Sequence, residues 1–138
     1  MARSRYGDRF QGRPDIPPTV LIVDGDVDWV GRLRTAIKRA GYQPVCARDG
    51  PEALAAMTHK KPAVIVIDGG LSETEISALM AKVERSPALS RIPRVVLRDG
   101  EIAEPVSNRS SRFMRGGLER LLDVIRRLVG SPTAKTST

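Results

Sequence analysis

Two aspartates stand at the ends of two runs of the same design. Ala63-Val64-Ile65-Val66-Ile67-Asp68 is an apolar, β-branched run that stops at a carboxylate and is followed by Gly69-Gly70. Thr19-Val20-Leu21-Ile22-Val23-Asp24 repeats that layout upstream, with Gly25 and Asp26 next. Each run reads as a strand buried on both faces, as in the middle of a parallel sheet. Open α/β sheets take their ligands in the crevice beyond the carboxyl ends of the strands, where both acids would lie. If the two strands are neighbours, Asp24 and Asp68 share one crevice, and the chemistry of the chain rests on that meeting.

The elements that would position them alternate along the chain. Asp26 can cap a helix whose apolar positions Trp29, Val30, Leu33, Ile37 and Ala40 recur at three- and four-residue spacing, until Gly41 stops it. A short strand over Gln43 to Ala47 follows. Asp49-Gly50-Pro51 opens a helix through Ala53, Leu54 and Met57, with proline in its tolerated first turn. After the central strand, Ser72 and Glu75 form a capping-box pattern ahead of Ile76, Leu79, Met80 and Val83, predicting a helix to about Arg85. Pro93 to Leu97 reads as a fourth strand. Gly100, Pro105 and Ser107-Asn108-Arg109-Ser110-Ser111 predict a loop over 99–110, with one turn of helix at most. Arg112-Phe113-Met114-Arg115 is the fifth strand. Beyond Gly116-Gly117, Leu118, Leu121, Leu122, Ile125, Leu128 and Val129 mark a last amphipathic helix. The fold class is therefore α/β, a doubly wound five-stranded parallel sheet of order 2-1-3-4-5, with the fourth crossover helix shortened or absent. That order makes strands 1 and 3 adjacent. The domain is expected over 18–130, between a flexible basic tail at 1–17 and a flexible polar tail at 131–138.

Composition excludes several classes. The chain has 138 residues, the size of one domain, and 41% of them are hydrophobic, enough for a core. Aromatic residues make up only 4%, so that core is aliphatic. A single cysteine, Cys46, excludes an internal disulfide framework and fits a reducing, cytoplasmic setting; it is expected in the core. No apolar stretch is long enough to span a membrane, and MARSRYGDRF lacks the apolar segment of a secretory signal. Net charge is +7. Residues 1–17 hold +2, residues 18–90 are neutral, residues 91–127 hold nine arginines against five acids, and Lys135 adds the last charge. Such a late surplus is either a solvated face or the docking surface of an acidic partner. Nucleic acid is disfavoured, since no helix-turn-helix, zinc or RNA-binding signature is present.

The stretches TVLIVDGDVDW, AGYQPVCARDGPEAL, KKPAVIVIDGGLS and IPRVVL resemble the successive landmarks of bacterial response-regulator receiver domains. The resemblance covers about residues 18–130 and is weakest from Arg98 to Gly117. It implies a flavodoxin/receiver-like fold in which an aspartate at the end of strand 3 accepts a phosphoryl group from a kinase histidine. Acids after strand 1 hold Mg²⁺ in that family, and a Thr or Ser after strand 4 and a Lys after strand 5 contact the phosphoryl group. Carried over residue by residue, Asp68 matches the phosphoacceptor and Asp24 the first acid, so these two would be the metal ligands. Gly25 stands where the second acid should be, and Asp26 is one place late. Arg98 replaces the Thr or Ser. Gly116 falls at the Lys position, or Arg115 if the alignment shifts by one. Ser72 and Ile76 replace the Pro and Gly usual after the acceptor.

These departures have physical consequences. Losing one carboxylate weakens a small octahedral oxygen site, so Mg²⁺ binding is expected to be weak or absent. Without metal and Lys, charge on a transferred phosphoryl group lacks its electrostatic clamp. Arg98 supplies a fixed cation instead; a pair with Asp68 is worth up to a few kcal/mol at an effective dielectric of about 20, before desolvation. That pairing would favour the ionised acid while occupying it.

Other motifs weigh less. Asp24-Gly25-Asp26 also resembles the opening Asp-x-Asp of haloacid-dehalogenase-type phosphatases, a distant alternative, because Lys82 sits in an ordinary helix and no further acidic motif follows strand 4 beyond Asp99. As an EF-hand loop it fails, with Trp29 in place of the glycine and Thr35 in place of the closing Glu. His59 is expected at an exposed helix end and Trp29 half-buried near the rim. Two functions of different classes stand: a stand-alone receiver-like module of a phosphorelay, using Asp68, and a pseudo-receiver adaptor that works without phosphate. Neither is an enzyme. Both act on another signalling protein (a histidine kinase, phosphotransfer protein or effector), with a homodimer left open. The expected partner face is cationic and includes Arg94, Arg112, Arg115 and Arg120.

Overall fold

The apolar runs become strands of one sheet because each has helices to cover both its faces. The computed structural model describes residues 16–68, 71–98 and 118–130, and the backbone of 103–107 and 110–114; of Asp68 and Arg98 it describes the backbone alone. The order is β1 (Thr19–Val23), α1 (Val27–Arg39), β2 (Gln43–Ala47), α2 (Gly50–His59), β3 (Val64–Asp68), α3 (Glu73–Arg85), β4 (Arg94–Arg98), β5 (Ala103–Ser107), β6 (Ser110–Met114) and α4 (Leu118–Val129). The strands lie in the order β2-β1-β3-β4-β6-β5. Every pair from β2 to β6 is parallel, so the expected 2-1-3-4-5 sheet is present with β6 as its fifth strand.

One segment differs from expectation. Ala103–Ser107, expected as loop, is an antiparallel strand on β6 at the edge of the sheet. Pro105 is compatible with that place, since an edge strand can spare one ladder donor and an interior strand cannot. Ser107 pairs with Ser110, leaving two residues between the strands, the length of a tight hairpin. The expected tails over 1–15 and 131–138 lie outside the described residues.

The helix starts follow the capping chemistry. Asp26 Oδ1 accepts from the Trp29 N–H at 3.3 Å, and Asp49 Oδ1 from the Glu52 N–H at 2.9 Å. Ser72 and Glu75 exchange both bonds of a capping box, at 3.1 and 3.0 Å. Gly41, at φ 100°, ends α1 in the left-handed conformation that glycine adopts without strain.

Two apolar layers hold the helices. Leu21, Val23, Ile65, Ile67 and Val96 pack with Ala53 and Met57 of α2 and Ile76, Leu79 and Val83 of α3. On the other face Ile22, Val66, Val95 and Leu97 pack with Trp29, Leu33 and Ile37 of α1 and Leu121 and Ile125 of α4. With both faces covered, β1 and β3 are apolar at successive positions rather than at alternate ones. Trp29, expected half-buried, is only 7% exposed, because it joins this second layer.

Two residues depart from their expected places. Cys46 is exposed, since β2 is an edge strand with only partial cover. What packing its thiol has pushes the pKa up, against the pull of Arg34, so it is not an activated nucleophile. Arg94, expected on an exposed partner face, is 2% exposed. It opens an interior strand, and its guanidinium reaches Glu84 of α3 at 3.8 Å. No helix among the described residues is long and apolar enough to cross a membrane.

Candidate functional site

The parallel register brings the two acid-bearing strand ends together. Val23 of β1 is level with Ile67 of β3, so Asp24 and Asp68, each one residue further on, leave adjacent strands at the same rim. Neighbouring strands lie about 4.8 Å apart. On the other side of β3, Asp68 is level with Leu97, which places Arg98 one residue beyond it on β4. β6 ends at the same rim, with Met114 level with Arg98. The side chains of Asp68, Arg98 and Arg112, and all of Arg115 and Gly116, lie outside the described residues. The carboxyl ends of the three central strands therefore converge at the crevice where open α/β sheets take their ligands.

Asp24 is 3% exposed. Its N–H donates to the Ala47 carbonyl at 2.9 Å, tying the rim to β2, and its Oδ1 accepts from the Asp26 N–H at 2.9 Å. Asp24 thus shapes the β1–α1 turn as well as lining the rim. Asp26 is half-buried and caps α1, so one of its oxygens is engaged in the helix start. Gly25 is exposed and is not among the left-handed glycines, which in the described residues are Gly41 and Gly130. A Cβ built there would meet only the Arg48 carbonyl oxygen, at an ordinary 3.8 Å. Neither backbone conformation nor space requires a glycine at this position.

Of the expected pocket acids, Asp24 and Asp26 are the ones whose side chains are described, and each has one oxygen engaged by a backbone N–H. Mg²⁺ takes six oxygens in near-ideal octahedral geometry. Gly25 brings no side chain, and Asp26 is engaged in capping. Among the described residues no group of three or more His, Cys, Asp or Glu is arranged to hold a metal.

Exposed charge is uneven around the site. α1 presents Arg32, Arg34, Lys38 and Arg39 against Asp28 alone, all of them exposed. Arg120 of α4, one of the expected partner-face residues, is exposed in the same layer. His59 is exposed at the end of α2, as expected of a solvated residue.

One tie was not foreseen from the sequence. Tyr42 is 2% exposed, and its hydroxyl donates to the Gly130 carbonyl at 3.0 Å. It joins the α1–β2 turn to the end of α4. Burial pushes the phenol pKa up, while Arg126 pulls it down. A tyrosine following a helix stop does signal a buried ring with a hydroxyl that needs a partner, but nothing in the sequence names a carbonyl 88 residues away.

No family profile matches the chain. Over 51 residues it is 39% identical to the transcriptional regulatory protein PrrA of Mycobacterium tuberculosis, a stretch covering 37% of this chain and 22% of that protein. A putative response regulator from Chloroflexus aurantiacus superposes with a TM-score of 0.71 at 23% identity, covering 82% of this chain and 98% of that one. A Mn(2+)-bound form of the response regulator Rcp1 superposes at a TM-score of 0.61 and 20% identity, covering 80% and 92%. The parallel strand order, the acids level at the carboxyl rim and these superpositions agree: the chain has the fold of the response-regulator receiver domains.

Proposed function

We propose that the chain is a receiver-type signalling module, not an enzyme, whose acceptor pocket at Asp68 is degenerate and whose output is contact with another protein. The observation that carries this is the level placement of Asp24 and Asp68 on adjacent central strands beside a glycine that the backbone does not require. Asp68 is the phosphoacceptor position and Asp24 the first acid of the pocket. Gly25, Arg98 and Gly116 (or Arg115) stand where the second acid, the hydroxyl residue and the lysine would act. With that set, Mg²⁺ is held weakly and a phosphoryl group finds Arg98 as its neighbouring cation in place of the usual clamp. Arg98 pairs with Asp68 and competes with phosphate for the pocket, so a phosphoryl group is admitted only weakly. The partner is another signalling protein with an acidic surface, recognised on the cationic α1/α4 layer, where Arg32, Arg39 and Arg120 are exposed.

The test is a titration of the intact chain with Mg²⁺ and beryllofluoride while Trp29 fluorescence is followed, since Trp29 lies in the first turn after the acidic rim. A weak saturable response that Asp68→Asn abolishes supports the degenerate acceptor. Gly25→Asp should tighten Mg²⁺ by about tenfold or more by returning a carboxylate to the site, and Arg98→Ala should improve beryllofluoride binding. Silence of the wild type and of both variants would instead favour an adaptor that works without phosphate.

A further inference from the structure

A hollow of about 190 Å³ opens at the end of the sheet opposite Asp24 and Asp68, where the chain enters β1, β3 and β4. Pro18, Pro62 and Pro93 wall it, with Ile92 and the last residue of α4, Val129. Ala63 and the exposed Lys61 and Arg91 complete the lining, and among the described residues no acidic one takes part in it. The walls are apolar for a backbone reason as well as a side-chain one. Proline has no N–H to offer. The Pro18 carbonyl accepts from Gln43 N–H at 2.8 Å, and the Pro93 carbonyl from Ile65 N–H at 3.0 Å. The far wall is held by the Tyr42 hydroxyl on the Gly130 carbonyl, at 3.0 Å. The hollow is therefore preformed, and a ligand would not have to order it.

We propose that this hollow binds a small organic anion with an apolar body, an aryl carboxylate. Size sets the body: an apolar cavity of about 150 Å³ takes benzene, and this one is a little larger. Charge sets the head group, because the lining offers two cations and no carboxylate to oppose them. The ring would lie against the prolines, Ile92 and Val129, and the carboxylate between the Lys61 ammonium and the Arg91 guanidinium, in solvent. The inference is independent of the acceptor site, which lies at the other rim.

The test is an amide-resolved NMR titration of the intact chain with sodium benzoate, benzyl alcohol and sodium acetate. Benzoate should give saturable shifts at the Ala63, Ile92 and Val129 amides, with a dissociation constant on the order of 1 mM for so small a ligand. Benzyl alcohol should bind roughly fivefold more weakly, the worth of solvent-exposed charge pairs, and acetate should give no saturable shift. Val129→Trp, which fills the hollow, should abolish the benzoate response. The double variant Lys61→Glu, Arg91→Glu changes only exposed side chains; it should keep the dispersed spectrum and weaken benzoate at least as much as removing the ligand's charge does. Absence of saturation at those amides up to about 20 mM would overturn the site, because even a modest ligand efficiency predicts binding below that. Equal affinity for benzyl alcohol, or no effect of the charge reversal, would overturn the assignment of an anion.

Discussion

The two helix layers of this molecule are built alike inside and differ outside. Each buries its apolar stripe against one face of the central strands β1, β3 and β4, α2 and α3 on one side and α1 and α4 on the other. Their solvent faces carry opposite balances. α1 and α4 together hold seven arginine or lysine residues against three acids, whereas α2 and α3 hold two against four. Nothing in the packing requires that split, since exposed charges contribute little to stability. On the proposed reading, an acidic protein would be steered to the α1/α4 side. Counting charge along the chain hides this asymmetry. Residues 18–90 are neutral in sum because the surplus of three cations on α1 is offset by one net acid on α3 and two net acids in the strand ends, turns and α2.

The comparison can be broken first at the level of the core. Ile125→Ala in α4 and Leu79→Ala in α3 each remove a fully buried side chain from one layer. Each should cost about 3 kcal/mol in urea unfolding. A cost under about 1 kcal/mol in one of them would mean that the layers are not equal supports of the sheet.

Next in size comes the buried arginine of the α2/α3 layer. Arg94→Ala should cost about 3 kcal/mol, through the packing lost when a fully buried long side chain is truncated. Removing its exposed partner by Glu84→Gln should cost about 1 kcal/mol or less, because that side chain is 63% exposed and the ions are 3.8 Å apart. Similar losses in the two variants would show that the ion pair, rather than burial of the arginine, is what matters.

The α1/α4 layer has its own tie in Tyr42. Tyr42→Phe should cost about 1 kcal/mol by removing the hydrogen bond to Gly130. Its phenol pKa is raised in the folded chain, so the folded state holds the proton more tightly than the unfolded state. The resulting stability is fully present below the unfolded pKa of about 10 and is lost as pH rises through the folded value. Unfolding midpoints of wild type and Tyr42→Phe should therefore converge above that pH; parallel curves would remove the linkage.

The smallest effect on stability is the one that sharpens the functional contrast. Arg32→Glu with Arg39→Glu should leave stability within about 0.5 kcal/mol. The same pair should lower the salt at which the chain leaves a cation-exchange resin by more than Lys82→Glu with Arg85→Glu does. Equal shifts would mean that the surplus is diffuse and no docking side exists.

Much of this was legible from residue order. The capping pairs Asp26/Trp29, Asp49/Glu52 and Ser72/Glu75 are local, three residues apart, and the helices begin where those side chains allow. Val20 to Val23 and Val64 to Ile67 are short, β-branched runs apolar at every position, the pattern of a strand covered on both faces. The segment after β4 was less legible, because Pro105 and a run of serines suit a loop and an edge strand equally. Arg94 misled for a different reason: a charged residue beside apolar ones says nothing about which helix end will lie over it. Cys46 was placed in the core for its type, but β2 lies at the edge.

What the sequence alone determined is the elements other than the edge strand β5, their parallel arrangement and the pair of aspartates at two strand ends. Periodicity, capping and turn residues act within a few positions and are written in the order of the chain. The tertiary structure decided which of those ends are level, that a side chain at Gly25 would meet only an ordinary contact, that Arg94 is buried, and that the cations of α1 and α4 share a side. Those facts depend on register and layer, which arise only when segments distant in the chain exclude water from a common interior.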